Sequence, residues 1–120
     1  MRKSDKVCIG IDAVSVSRCR EKLERNPGMY QRVLGQGEEI ARSPREFARM
    51  FAIKEACIKS SGGAVSFRDV SVSRGGSGMP SVTWCAVEDL EFKVSVTCEL
   101  DMIVAVSLCC KTTAEDSGSC

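Results

Sequence analysis

The chain has 120 residues, 43% of them hydrophobic and 28% charged, with a formal net charge of +1. That length holds one domain with a single core, and the charge balance argues against a protein that lives on nucleic acid. One Trp, one Tyr and four Phe are too few for a base-stacking platform, and no apolar run is long enough to span a membrane.

The first apolar run is "KVCIGIDAV", short and read as a buried strand. "VSRCREKLERN" repeats apolar and basic residues at helical spacing and stops at Asn26-Pro27-Gly28. "MYQRVLGQGEEIARS" is weaker: a turn of helix, a glycine-broken loop and another short turn. Ser43 or Pro44 opens the main helix, which the spacing carries to Ser60 and closes at Gly62-Gly63. Period-two alternation then takes over in "SFRDVSVSR", "PSVTWCAV", "FKVSVTC" and "IVAVSLCC". "RGGSGMP" reads as the turn of a hairpin. One domain is expected over residues 1–110, followed by a polar tail over 111–120. The order of elements predicts an α+β fold, a long central helix packed on an antiparallel sheet.

Eight cysteines would suggest a disulfide framework in a secreted protein. The N-terminal apolar run is too short for a signal peptide, no C-x-x-C occurs and there is no histidine, so reduced thiols in a cytoplasmic protein are expected and a zinc site is not. Cys8, Cys57, Cys85 and Cys109 lie in apolar stretches, where a free thiol acts as a small hydrophobe.

The helix "MFAIKEACIKSSGG" carries the chemistry. At about 100° per residue, Phe47, Met50, Phe51, Cys57 and Ile58 form a bulky apolar arc. Ala48, Ala52 and Ala56 form a second, small-residue side, with Glu55 and Lys59 beside it. Glu55 and Lys59 are four apart and suit a surface ion pair. The alanines instead suggest a face open to something large. Lys54 falls inside the apolar arc and needs an anion. A polyphosphate with a divalent cation answers both points: Glu55 on the metal, Lys54 and Lys59 toward phosphate oxygens. A second carboxylate is then wanted, and Asp12, at the end of the first strand, is the candidate. A helix N-cap is its alternative role.

Together, "GIDAVSVSR", "FARMFAIKEACIKSSG", "SFRDVSV", "GSGMP" and "VSVTCELDMIVAVSL" resemble the holo-acyl-carrier-protein synthase group of 4′-phosphopantetheinyl transferases, in order from about Val7 to Leu108. The resemblance implies transfer of phosphopantetheine from coenzyme A to a serine of an acyl carrier protein, with Mg²⁺, releasing adenosine 3′,5′-bisphosphate. It implies Asp12 and Glu55 as metal ligands, and Lys59 as the catalytic lysine beside them. Arg49, Lys54, Gly62, Gly78, Pro80, Ser95 and Thr97 fall on coenzyme-binding positions. Arg18 and Arg25 fall on the face that docks the carrier protein, although a solvated basic helix reads the same way. A homotrimer with its site between subunits is implied too, as is a place in fatty-acid or other lipid biosynthesis.

The chain departs from the family pattern at Lys93 and Cys98, which stand where the family has two histidines. "SSGGAVSF" and "CAVEDLEF" are shorter than expected, and Arg49 lies two residues before Phe51 rather than one. These departures keep open a relative that binds coenzyme A or a carrier protein with weak or absent transfer.

Overall fold

The structure, a computed structural model, describes residues 6–73 and 79–112. Strand β1 (Val7–Ser15) leads directly into helix α1 (Val16–Arg25), and a short helix α2 (Met29–Arg32) follows. A loop then reaches the long helix α3 (Pro44–Ser60). Strands β2 (Val70–Val72) and β3 (Val82–Cys85) form a hairpin, and β4 (Leu90–Glu99) and β5 (Met102–Lys111) close the chain. The main sheet is antiparallel, in the order β1-β5-β4, with β2-β3 as a separate pair. This is the expected α+β fold, with α3 lying on one face of the sheet.

Local chemistry explains α3. Ser43 caps its start by accepting from the Glu46 N–H, and Pro44 occupies the first turn, where its missing N–H costs nothing. At the other end Gly62 and Gly63 take φ of 68° and 86°. Gly63 N–H donates to Ile58 O and Gly62 N–H to Lys59 O, the paired bonds of a Schellman cap.

The alanine side of α3 is not open. Ala48, Ala52 and Ala56 are fully buried, and the large partner that their small side chains admit is the sheet itself. β1 comes so close that a Cβ on Gly10 would run into the Ala56 carbonyl and lie 2.6 Å from Ser60 N. On the opposite side Phe47 stacks on Phe51 and Phe51 on Phe67, with Tyr30 edge-on to Phe47. Helix α3 is therefore covered on two sides by different layers.

Two strand expectations are corrected. β1 is buried on one face only: Val7, Ile9 and Ile11 are exposed, because among the described residues no helix covers the far face of the sheet. Within "SFRDVSVSR", residues Phe67–Asp69 form a 3₁₀ turn whose Asp69 carboxylate caps Ser66, and only Val70–Val72 are strand. The loop after α2 holds a tight turn, closed by Glu38 N–H donating to Gly35 O at 3.3 Å, and no further helix before α3. Cys8, Cys19, Cys57, Cys85, Cys98 and Cys109 are free thiols. Cys57 and Cys109 are core residues, their thiols pushed up to about 11 chiefly by burial, whereas Cys8 is exposed. The expected tail begins inside β5, which runs to Lys111, and 113–120 lie outside the described residues.

Candidate active site

Asp12 pairs in register with Ala105, which is fully buried against α3. Residues directly opposite share a face of the sheet, so Asp12 points to the helix side. It is not a helix cap: Ser15 fills that position for α1, accepting from Arg18 N–H at 3.2 Å. Asp12 is therefore left to face the last turn of α3. There the Lys59 ammonium donates to Asp12 Oδ1 and to the Ile11 carbonyl, each at 3.1 Å.

Glu55 lies one turn earlier on the same side of α3 and is half-buried. Burial pushes its carboxyl up, the Asp12 charge pushes it further, and Lys59 pulls it back. Two carboxylates and a lysine thus meet at one place, as the sequence suggested. The group opens into a cleft of ≈ 480 Å³ whose walls include Arg18 and Lys22 of α1 and whose floor includes Phe47 and Phe51. A carboxylate disfavoured by its neighbour is what a cation relieves. Two carboxylates also suit Mg²⁺, which takes one or two and leaves its other positions to phosphate and water. Among the described residues no cluster of three His, Cys, Asp or Glu side chains offers a metal site, so this pair is the arrangement to weigh.

Lys54 corrects the sequence reading. Its ammonium does not face phosphate. It is fully buried and donates to Val33 O at 2.7 Å, Glu38 Oε1 at 2.6 Å and Phe67 O at 3.0 Å. Burial lowers its pKa, while the bond and charge of Glu38 oppose that shift. The anion that Lys54 needed is inside the protein. The sequence demanded a partner, but nothing in the glycine-broken "LGQGEEI" singled out Glu38.

The other positions form a second group. Arg49 lines a separate cavity of ≈ 300 Å³ with Glu39, Glu46, Val72, Ser73 and Thr83. Burial lowers the Arg49 pKa, while Cys98 and Glu46 nearby act the other way. Cys98 Sγ also lies 3.8 Å from Arg45 Nη1. Pro80 adjoins Ser81, whose carbonyl and amide pair with Ser73 on the cavity wall. Arg49 and Glu55 are six residues apart, roughly 9 Å along the axis and 120° around it, so the body of α3 separates the two groups. Ser95 and Thr97 are exposed and pair with Val106 and Val104 on the far face of the sheet, away from Asp12.

Gly62 faces open space in its cap. Gly78 lies outside the described residues. Arg18 and Arg25 are both exposed on α1, but only Arg18 borders the Asp12–Glu55 cleft. The sequence reading missed Lys22, although its spacing four residues after Arg18 places both on one helix face.

Paired carboxylates beside a lysine, at the edge of a basic cleft, make a place for a cation and a phosphate-bearing substrate. The chain belongs to the 4′-phosphopantetheinyl transferase superfamily, whose model matches residues 8–106. It is similar to the holo-[acyl-carrier-protein] synthase of Clavibacter sepedonicus, 40% identical over 75 residues that make up 61% of this chain. That match spans 62% of the relative's own length, less than two thirds. The fold matches that of the Neisseria meningitidis holo-[acyl-carrier-protein] synthase, with a TM-score of 0.70 at 21% identity, covering 85% of this chain and 96% of the other. The Helicobacter pylori enzyme, solved in complex with coenzyme A, gives a TM-score of 0.62 at 26% identity, covering 82% and 96%.

Proposed function

We propose that the protein transfers 4′-phosphopantetheine from coenzyme A to a serine hydroxyl of an acyl carrier protein, releasing adenosine 3′,5′-bisphosphate. The observation that carries this reading is the meeting of Asp12 and Glu55 in one cleft, with Lys59 bonded to Asp12 beside them. The family and the coenzyme A complex of a relative support it.

Asp12 and Glu55 are the residues to hold Mg²⁺. The ion would supply charge neutralisation to the pyrophosphate and lower the barrier to its cleavage. Lys59, one turn beyond Glu55 on a rigid helix, places an ammonium where charge grows on the leaving phosphate oxygen. The serine oxygen forms its bond to the β-phosphorus as the bridging P–O bond breaks; the bridging oxygen leaves with the nucleotide, and the hydroxyl proton passes to Glu55 or to a water beside it. Arg18 and Lys22 border this cleft and Arg25 extends the same basic helix. They suit an acidic helix of the carrier, steering its approach more than fixing its affinity.

The Arg49 cavity is walled by Glu39 and Glu46 as well as by the guanidinium. That mix suits a nucleoside end, whose amine and hydroxyls donate to carboxylates, better than bare phosphates. Because α3 stands between the cavity and Glu55, one coenzyme spans both most simply between two chains. The far face of the sheet supports such an assembly. Val7, Ile9, Ile11 and Leu108 leave an apolar stripe exposed there, with Ile9 paired to Leu108. A closed homotrimer packed through this face would also bring Ser95, Thr97 and Lys93 of β4 toward a neighbour's site. No helix of the described residues is long and apolar enough to cross a membrane, and a cytoplasmic enzyme of lipid synthesis is the setting proposed.

The test is release of adenosine 3′,5′-bisphosphate from coenzyme A on addition of an apo carrier protein and Mg²⁺. Release that stops with a chelator and returns with Mg²⁺ supports the reading. Coenzyme binding without release across several carriers would instead assign a binding-only relative and make Lys93 and Cys98 its marks.

A further inference from the structure

We infer that Glu38 is a positioning residue for the nucleoside end of coenzyme A, setting the wall of the Arg49 cavity through the β2–β3 hairpin; this rests on the transferase reading above. The Glu38 side chain is only 7% exposed, and its carboxylate joins three separate parts of the fold. Oε1 accepts from the Lys54 ammonium of α3 at 2.6 Å and from the Gly35 N–H of its own loop at 2.8 Å. Oε2 accepts from the Val72 N–H at 2.7 Å.

The third bond is the informative one. The β2–β3 ladder is irregular between Ser71 and Val72. Val72, the last residue of the strand, and Ser73 after it both line the cavity. A carboxylate held in its own loop by the Gly35 N–H thus holds the strand end that faces Arg49. The loop is fitted to the same strand in two further ways. Ser71 Oγ donates to Gln36 O at 2.7 Å, and Gly35 lies so close to the Val70 carbonyl that a Cβ there would be 2.5 Å from Ser71 Oγ. Glu38 itself borders the cavity. An ion pair whose whole purpose was to neutralise Lys54 would need only one of the two oxygens. The other ties the loop to the strand end, and with it sets the wall of the cavity.

Glu38→Gln separates these roles, because the amide keeps the shape but offers one acceptor oxygen in place of two. Expected are a rise of about tenfold in KM for coenzyme A and in Kd for adenosine 3′,5′-bisphosphate by calorimetry, the effect of one charged hydrogen bond. The kcat at saturation should stay within about twofold, since Asp12, Glu55 and Lys59 are untouched. Lys54→Met is the contrast. It removes the ion pair but leaves Glu38 on Val72, so it should lower Tm while KM and Kd stay within about twofold of wild type.

Equal rises in both variants would make the ion pair merely structural and overturn the inference. So would a folded Glu38→Gln that binds the bisphosphate like wild type. Should Glu38→Gln fail to fold, Ser71→Ala loosens the same loop-to-strand junction more gently. It should raise KM and Kd roughly two- to threefold, and unchanged values would count against the proposal. A wild-type protein that binds no adenosine 3′,5′-bisphosphate would overturn the transferase reading and this inference with it.

Discussion

Lys59 reaches from the last turn of α3 to Asp12 on β1, its Nζ 3.1 Å from Oδ1. In the free protein this ammonium stands at a carboxylate proposed to hold a divalent cation. The two positive charges compete for it. Lys59→Ala is therefore expected to tighten Mg²⁺ binding in the absence of coenzyme while slowing turnover about 10²-fold, the loss typical of one donor to a developing oxyanion. Metal titration followed by calorimetry, beside kcat, checks both signs. Weaker metal binding in the variant would mean that Lys59 supports the cation site rather than competing with it.

The Glu55 carboxyl gives a pH prediction. Its folded pKa is raised, first by burial and then by Asp12. The folded state therefore binds this proton more tightly than the unfolded chain does. Glu55 costs stability above both pKa values, and that cost is relieved as pH falls through the folded one. Without metal, Glu55→Gln should raise Tm at neutral pH and lose most of this gain in mild acid. Melting curves with a chelator present test it. Added Mg²⁺ should stabilise wild type and leave the variant almost unmoved.

Gly10 carries the contact between β1 and α3. A methyl group there meets the backbone of Ala56 and Ser60, neither of which can turn aside. Gly10→Ala should cost about 3 kcal/mol, at the upper end for overpacking. Because β1 also carries Asp12, the surviving folded protein should lose transfer activity as well. Urea unfolding measures the first effect and initial rates the second. A fully stable, active Gly10→Ala would mean that strand and helix are less tightly seated than the structure shows.

The shared-site proposal predicts complementation. Arg49→Ala and Glu55→Gln should each be nearly inactive alone. If Arg49 of one chain serves Glu55 of the next in a closed trimer, refolding the two together in equal amounts should restore roughly a quarter of the wild-type rate, because one interface in four is intact. Ile9→Asp on the apolar face should dissociate the assembly and abolish activity together. Light scattering and rates on the same samples decide it. No recovery on mixing would place both residues in a single-chain site.

How much of this was legible in the sequence differed by residue. The bounds of α3 were readable because Ser43, Pro44 and Gly62-Gly63 are local signals that act within one turn. The hairpin and the last two strands followed from their period-two pattern. The alanine side was misread: small residues signal a close neighbour, but periodicity cannot say whether that neighbour is a ligand or a strand. The exposed face of β1 was hidden for a similar reason, since an unbroken apolar run looks the same when buried on both faces as when one is left bare. Lys54 announced its need for an anion. Its partner Glu38 sits sixteen residues away in an irregular loop, where no spacing rule reaches. Asp12, by contrast, is left to face Lys59 by a detail that spacing cannot show, namely that Ser15 and not Asp12 caps α1.

The most direct test of the central claim is the intact mass of an apo acyl carrier protein after incubation with this protein, coenzyme A and Mg²⁺, beside a control with Glu55→Gln. The account predicts addition of one phosphopantetheine by wild type and none, or at least about 10²-fold less, by the variant. A variant that loads the carrier as fast as wild type would contradict the placing of the metal and of the transfer at Asp12, Glu55 and Lys59.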